Sequence, residues 1–218
     1  MRVTVFGASG RTGRLVVERA LARGHDVTAV TRAPATVAGG AGRRHPGRLE
    51  ILRGDVGDLA SVREAVRDRD VVLSLVAPPL ARHVLRSTSL YSEAGRNLVR
   101  AMRTAASGRL ITVSSAGVVD GDPSHPPLYR LVLKPLLFDR ALYRDMRIME
   151  KEVEDSRLEW IVVRASGLTN RPPTGKYRVG LGRLPQGGSR VSRADLADFL
   201  IAQFDGTTYV GEHPTVAY

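Results

Sequence analysis

A glycine-rich turn directly after a short apolar strand is the feature that most constrains the fold of this chain. The strand is predicted over residues 2–6, and the turn after it reads Gly7-Ala8-Ser9-Gly10-Arg11-Thr12-Gly13. Glycines at this spacing allow a tight turn, a close approach of the backbone to a pyrophosphate, and close packing of a helix on the strand. The N–H groups and the dipole of the following helix favour a phosphate at the same place. The predicted phosphate contacts are Gly7, Ser9, Gly10, Arg11, Thr12 and Gly13.

Apolar strands alternate with helical patterns along the chain, which is typical of a parallel sheet with helices on both faces. The predicted strands cover residues 2–6, 26–31, 49–53, 70–77, 110–113 and 160–163. Asp58 is predicted to cap the helix after the third strand, and residues 192–195 form a capping box for a helix that ends near residue 204. With no internal repeat and no linker, residues 1–218 are expected to form a single domain. Its expected fold is a Rossmann-type, doubly wound parallel α/β sheet with a small C-terminal region that covers the substrate.

Composition excludes several kinds of chemistry. The sequence contains no cysteine, which excludes disulfides, thiolate nucleophiles and cysteine metal ligands within it. The five histidines are isolated and have no metal-ligand spacing, so no metal site is expected. No apolar run approaches the roughly 18 residues of a membrane span. The chain begins with a strand instead of a secretory signal, so a cytoplasmic location is expected.

The net charge of +11, from 33 Lys and Arg against 22 Asp and Glu, raises the question of a nucleic-acid partner. The positive residues are spread along the whole chain, and almost all of them are arginine. Such a skew arises as readily from the base composition of a genome as from a binding surface. Because net charge indicates only non-specific attraction, a nucleic-acid partner is not favoured. We expect a small-molecule substrate, no membrane partner, and a monomer or a homodimer.

The end of the second strand indicates which dinucleotide the chain prefers. NAD enzymes place Asp or Glu about 20 residues beyond the glycines, where the carboxylate binds the ribose hydroxyls. Here no Asp or Glu occurs from residue 27 to residue 49, and Arg32 follows the strand directly. Arg32 is therefore expected to contact the 2′-phosphate of NADP, with a chance arginine in an arginine-rich chain as the alternative. NADP(H) is predicted over NAD(H).

Five segments resemble the atypical short-chain dehydrogenases of the NmrA-like group, with a pattern most similar to the biliverdin reductase B and flavin reductase family. The segments cover residues 5–13, 54–56, 92–99, 174–177 and 189–196, in the family's order. The resemblance implies cofactor contacts at the carboxyl ends of the strands, where ligands bind in open parallel sheets. The implied contacts beyond the turn are Asp55, Val56, Val76, Ala77, Pro78, Ala165, Ser166 and Gly167.

The resemblance also implies that Ser114 and Ser115 lie near the nicotinamide, which makes them the candidate catalytic residues. Either hydroxyl can orient a substrate or relay a solvent proton, and a plain strand-end serine is the alternative. Short-chain dehydrogenases usually protonate their product with a Tyr-x-x-x-Lys pair, which this chain lacks. Tyr143 is followed four residues later by Arg147, which stays charged and cannot relay a proton. We therefore expect hydride transfer governed by positioning.

The substrate pocket is expected mainly from residues 78–90, 115–145 and 165–190. The proline-rich segment 116–140 is predicted as a lid, with a plain core role as the alternative. The candidate substrate contacts are Leu137, Phe138, Tyr143 and, by resemblance, Lys151. Packing is the alternative role for Tyr143, and a solvated ion pair is the alternative for Lys151.

Three functions remain in competition. The first is NADPH-dependent hydride transfer to a small, planar or conjugated acceptor, such as a flavin, quinone, enone or ketone. The second is a non-redox isomerase or dehydratase that retains NADP, and the third is an NmrA-like sensor that binds NADP without turnover. The acceptor stays open because residues 165–167 read Ala-Ser-Gly where the resembled reductases carry Pro-Pro-His.

Overall fold

The predicted strands and helices follow one another in alternating order. The computed structural model describes residues 1–34, 37, 45–78, 89–105, 107–124, 128–129 and 141–218. Its elements are β1 (Arg2–Phe6), α1 (Arg11–Ala22), β2 (Asp26–Thr31), β3 (Leu49–Arg53), α2 (Leu59–Val66), β4 (Val71–Ser74), α3 (Leu90–Ala105), β5 (Arg109–Ser115), α4 (Arg144–Glu154), β6 (Trp160–Ala165), β7 (Gly167–Thr169), β8 (Arg178–Leu181), β9 (Arg190–Ser192), α5 (Arg193–Ala202) and β10 (Pro214–Ala217). A short 3-10 turn, Ala116–Val118, follows β5.

One eight-stranded sheet holds most of these strands, in the order β3-β2-β1-β4-β5-β6-β10-β8. Its neighbours from β3 to β10 pair in parallel, whereas β8 pairs antiparallel with β10. A separate parallel pair is formed by β7 and β9. The first six positions have the strand order of a doubly wound nucleotide-binding sheet. The predicted Rossmann-type α/β fold is therefore confirmed.

Helices cover both faces of the sheet. On one face α1 packs against α5, and on the other face α3 packs against α2 and α4. Every residue of the central strand β4 is buried, as expected for a parallel strand that is covered on both sides. Among the helices of the described ranges, none has the length and apolar character needed to cross a membrane.

The carboxyl ends of β4, β5 and β6 differ from the prediction. The strand β4 ends at Ser74 instead of residue 77, because the next residues pass against the glycine-rich turn. A Cβ atom on Gly7 would lie only 2.6 Å from the carbonyl oxygen of Leu75. Conversely, β5 and β6 run longer than predicted because their pairing extends to Ser115 and Ala165. The sequence pattern does not predict β7 to β10, which are short and partly polar.

The carboxylate of Asp195 joins three separate parts of the C-terminal region. Its backbone N–H donates to the Ser192 hydroxyl at 2.9 Å, which confirms Ser192 as the predicted N-cap. The reciprocal bond of a capping box is not formed, because the Ser192 N–H donates to the Tyr218 hydroxyl at 3.0 Å. Its carboxylate accepts hydrogen bonds from the N–H groups of Thr174 and Gly175, both at 2.9 Å, and from the Tyr218 hydroxyl at 2.5 Å. Asp195 is fully buried. Burial raises the pKa of Asp195, but hydrogen bonds, first that from Tyr218, outweigh this effect and lower it to about 2.

Replacing Asp195 should therefore destabilise the fold in a pH-dependent way. We expect Asp195→Asn to lower the free energy of unfolding by about 1–3 kcal/mol at pH 7, because it weakens a buried charge-assisted network. The folded pKa lies below the unfolded value of about 3.9, so the wild-type advantage is present above pH ~4 and disappears as the pH falls towards ~2. Urea unfolding across this range measures the difference.

The matched control is Asp198→Asn on the same helix. Asp198 is partly exposed and pairs with Arg19 and Arg23 at the surface. Its replacement should cost less than about 1 kcal/mol. Equal losses for the two variants, with the same dependence on pH, would contradict a special role for Asp195.

Candidate functional site

A cavity of about 510 Å³ opens at the carboxyl ends of β1 to β4. The first turn of α3 forms part of its wall, through Ser89, Leu90 and Glu93. The predicted cofactor contacts among its lining residues are Gly7, Ser9, Gly10, Arg32, Asp55, Val56, Val76, Ala77 and Pro78. The structure thus brings residues from four separate βα connections together around one cavity.

The glycine-rich turn has the geometry that its spacing predicts. Gly7 has a φ of +77°, which favours glycine, and its carbonyl oxygen accepts a hydrogen bond from the Gly10 N–H at 3.0 Å. A Cβ atom on Gly13 would collide with that same carbonyl oxygen. No side chain caps α1, and its first turn holds no acidic residue. The N–H groups of this helix N-terminus therefore remain available for an anionic ligand. Arg11 and Thr12 lie in that first turn.

The ends of β2 and β3 place one positive and one negative side chain at the cavity. Arg32 follows β2 and is exposed, with no ion pair to any described residue. Asp55 follows β3, where its N–H donates to the Ser61 hydroxyl at 3.1 Å and its carboxylate accepts from the Gly57 N–H at 2.9 Å. The Asp55 residue is therefore fixed by hydrogen bonds within the connection from β3 to α2, whereas the Arg32 guanidinium has no partner among the described residues and can contact a ligand.

The carboxyl ends of β5 and β6 bring two unpaired hydroxyls, those of Ser114 and Ser166, to the same edge of the sheet. Ser114 and Ser166 are 4% and 8% exposed, and neither hydroxyl has a hydrogen-bond partner among the described residues. Ser115 differs from them because its hydroxyl oxygen accepts the Gly117 N–H at 3.1 Å. Ala165 pairs in register with Ser115. A buried hydroxyl without a partner costs free energy, so Ser114 and Ser166 are suited to bind a polar ligand group.

The two candidate substrate residues that the structure describes, Tyr143 and Lys151, lie in different environments. Tyr143 is buried, and its phenol oxygen lies 2.5 Å from that of Tyr129. Both phenols lie against Gly117, two residues beyond Ser115. Lys151 instead is exposed on α4, where its ammonium pairs with the Asp155 carboxylate at 2.8 Å; hydrogen bonding to that carboxylate raises the pKa of Lys151. Its role in substrate binding stays a prediction.

Much of the predicted lid cannot be compared with the structure. Leu137 and Phe138 lie outside the described residues, as do residues 79–88 and 130–140. Of the predicted pocket segments, residues 78, 89–90, 115–124, 128–129, 141–145 and 165–190 are described. Pro78, Ser89 and Leu90 among them line the cavity. Gly167 begins β7, and its N–H donates to the Ser189 carbonyl oxygen at 3.1 Å.

A buried ion-pair network beside these strands was missed by the sequence analysis. Glu150 accepts two hydrogen bonds from the Arg164 guanidinium, at 3.1 and 2.7 Å, and both side chains are largely buried. His213 lies 2.9 Å from the Glu154 carboxylate, so the expectation that every histidine is isolated is wrong for this one. Burial and the neighbouring Arg164 lower the pKa of His213. Because Arg164 occupies both oxygens of Glu150, we describe Glu150 and Arg164 as a buried ion pair, beside which His213 contacts Glu154.

Comparison with known proteins identifies the class to which this site belongs. Residues 7–207 match the model of a family described as NAD(P)H-binding. The match covers most of the chain, including the glycine-rich turn and the later strands. The chain therefore belongs to this NAD(P)H-binding family.

The proteins that are similar in sequence include a reductase and a protein without an assigned function. A 3-diazoavenalumate denitrifying reductase of Streptomyces is 31% identical over 88% of this chain and 67% of its own length. The protein YwnB of Bacillus subtilis, described as uncharacterized, is 32% identical over 54% of this chain. The match spans 48% of YwnB, so this chain is aligned with only about half of that relative.

Solved structures with the same fold include one with a bound dinucleotide. A short-chain dehydrogenase/reductase of Veillonella parvula in complex with NADP has a TM-score of 0.80 and 17% identity, over 100% of this chain and 94% of that one. The anaerobillin reductase ChuY of Escherichia coli O157:H7 has a TM-score of 0.75 and 20% identity, over 100% and 97% of the two chains. At such low identity these structures support the fold alone.

The burial of Tyr143 leads to a prediction about its hydroxyl. Since no lysine follows it at the required spacing, we expect Tyr143→Phe to leave NADPH oxidation within a few-fold of wild type. Loss of the hydrogen bond to Tyr129 should lower the unfolding free energy by about 0.5–1.5 kcal/mol. Steady-state kinetics and thermal melts measure both effects.

Tyr209→Phe serves as the control, because Tyr209 packs against Phe199 with ring centroids 5.6 Å apart on the other face of the sheet. A loss of turnover on the order of 10²-fold for Tyr143→Phe alone, as expected of a general acid, would mean that this phenol supplies a proton.

Proposed function

We propose that this protein is an NADPH-dependent reductase that delivers a hydride to a small, planar or conjugated acceptor. The observation that carries the proposal is the uncapped N-terminus of α1, which lies at the same cavity as the guanidinium of Arg32. A 2′-phosphorylated dinucleotide requires a phosphate-binding turn after β1 and a cation at the end of β2.

The residues present offer suitable groups for both ends of such a dinucleotide. Gly7, Ser9 and Gly10 would form the turn around the pyrophosphate, the N–H groups of Arg11 and Thr12 at the start of α1 would hold it, and Arg32 would bind the 2′-phosphate. The orphaned hydroxyls of Ser114 and Ser166 suit the amide and ribose groups of the nicotinamide end. If only apolar side chains lined that edge, the amide and ribose groups would be buried without hydrogen-bond partners.

When bound, NADPH supplies the hydride, and the acceptor gains that hydride and one proton while NADP⁺ is formed. The chain's own contribution is to position the acceptor and to provide a route for the proton. Ser115 is suited to this task because the Gly117 N–H already uses one lone pair of its hydroxyl oxygen. The hydroxyl proton can then be donated to an acceptor oxygen or nitrogen and replaced from solvent.

The relatives support a reductase more than they specify an acceptor. One similar protein is named a 3-diazoavenalumate denitrifying reductase, and ChuY is named an anaerobillin reductase. Because the two named substrates differ, they do not indicate one acceptor. The proposed acceptor class is instead based on the planar and conjugated molecules that a nicotinamide can reduce directly. Identification of the acceptor requires a screen.

Cofactor preference gives the first test of the proposal. Fluorescence titration should show NADPH binding at least about tenfold more tightly than NADH, a difference of about 1.4 kcal/mol. Arg32→Ala should remove most of this gap, because it deletes a charge-assisted contact to the 2′-phosphate. Arg48→Ala is the control, since Arg48 directly precedes β3 and so lies at the amino ends of the strands, away from the cavity at their carboxyl ends. Equal affinities of the wild-type protein for NADPH and NADH would refute the NADP assignment.

Turnover separates the reductase from the other two functions. We expect NADPH oxidation with at least one flavin, quinone or enone. With an enone, in which a carbon atom receives the hydride, deuterium from [4-²H]NADPH should be found in the product. An isomerase or dehydratase would instead carry NADP through purification in near-stoichiometric amount. A sensor would bind NADP⁺ and oxidise no NADPH with any acceptor of the screen. Either of these results would overturn the reductase.

A further inference from the structure

The first turn of α3 forms a wall of the cavity, and its cap is unusual. Ser89 occupies the N-cap position, because the Glu93 N–H donates to its carbonyl oxygen at 2.8 Å. An N-cap serine ordinarily accepts a hydrogen bond from the second or third N–H group of its helix. Here the Ser89 hydroxyl instead donates to the Glu93 carboxylate at 2.6 Å. The N–H groups of the first turn therefore need another acceptor.

Asp145 provides that acceptor from a different helix. Its two carboxylate oxygens accept the N–H groups of Tyr91 at 2.9 Å and of Ser92 at 3.1 Å, the second and third residues of α3. Asp145 is only 4% exposed and lies in the first turn of α4. A carboxylate bonded through both oxygens at a helix N-terminus restricts both the position and the orientation of that helix.

The same turn of α4 also holds the chain beyond β5. The Arg147 guanidinium donates to the Val118 carbonyl oxygen at 2.9 Å and to the Asp120 carboxylate at 2.7 Å. These residues follow directly on Ser115. The first turn of α4 therefore connects the cavity wall to the segment after the candidate catalytic serines.

We propose that Asp145 is a positioning residue for dinucleotide binding, which holds the first turn of α3 where that turn completes the cavity wall. Asp145 itself lies outside the lining, so it acts through the α3 backbone and through the positions of Ser89, Leu90 and Glu93. The inference rests on the proposed function only in that the cavity holds a dinucleotide.

The test is the isosteric variant Asp145→Asn, in which an amide NH₂ group replaces one acceptor oxygen and faces an N–H donor. We expect the Kd of the dinucleotide to rise about five- to thirty-fold, in the lower part of the roughly 5–150-fold range that is usual for coupling between two sites. Titration uses whichever of NADPH and NADH the wild-type protein binds more tightly, at a temperature well below both melting points. The test therefore remains valid even if the wild-type protein shows no preference for NADPH over NADH.

The matched control is Glu152→Gln, which removes the same charge from the same helix. Glu152 pairs with Arg96 of α3 at 3.5 Å on the surface. Its Kd should change less than about twofold, as expected for an exposed pair. If Asp145 were merely structural, Asp145→Asn would lower the melting temperature and leave the Kd unchanged, which would overturn the proposal.

Amide exchange in the wild-type protein gives the same test without a variant that might fail to fold. Because coupling is reciprocal, saturation with dinucleotide should slow exchange of the Tyr91 and Ser92 amides about fivefold or more. The control is the Asp195 amide, which Ser192 caps at 2.9 Å on the other face of the sheet. Equal slowing at both helix ends would show global stabilisation alone and would contradict a positioning role.

Discussion

The close approach of the glycine-rich turn to the end of β4 is the constraint on which the site depends. Side chains at Gly7 or Gly13 would collide with backbone atoms, so only glycine lets α1 begin directly behind β1. The turn also leaves the N-terminus of α1 without a side-chain cap, in contrast to α2 and α5, which Asp58 and Ser192 cap. A helix N-terminus that is uncapped and borders a cavity stabilises an anion.

Around this turn, buried carboxylates hold the later elements of the sheet in place. Asp145 anchors α3 to α4, Glu150 anchors α4 to β6 through Arg164, and Asp195 anchors α5 to the segment at 174–175. Each of them is bonded through both oxygens, as a buried charge requires if its desolvation is to be compensated. Only Glu150 among them pairs with a positive side chain, whereas Asp145 and Asp195 accept hydrogen bonds from neutral N–H and hydroxyl groups. Arg32 at the cavity has no ion pair with any described residue.

The local features of the sequence could be predicted, and the contacts over long sequence separations could not. The turn at 7–13, the strands of the first half and the caps formed by Asp58 and Ser192 depend on neighbouring residues, and all are confirmed. By contrast, Asp145 contacts a helix that begins 55 residues earlier, and in sequence it reads as part of a charged, solvated face. The strand β10 begins with a proline and was missed, although all of its residues are buried.

A crystal structure of the complex with NADP⁺ tests the central claim most directly. We expect the pyrophosphate to lie against the N–H groups of the glycine-rich turn and the 2′-phosphate within hydrogen-bond distance of the Arg32 guanidinium. The nicotinamide end should lie at the carboxyl edge of β5 and β6, with a polar group bonded to the Ser114 or Ser166 hydroxyl. A complex in which Arg32 does not contact the 2′-phosphate, and in which both hydroxyls stay unpaired, would contradict the proposed site.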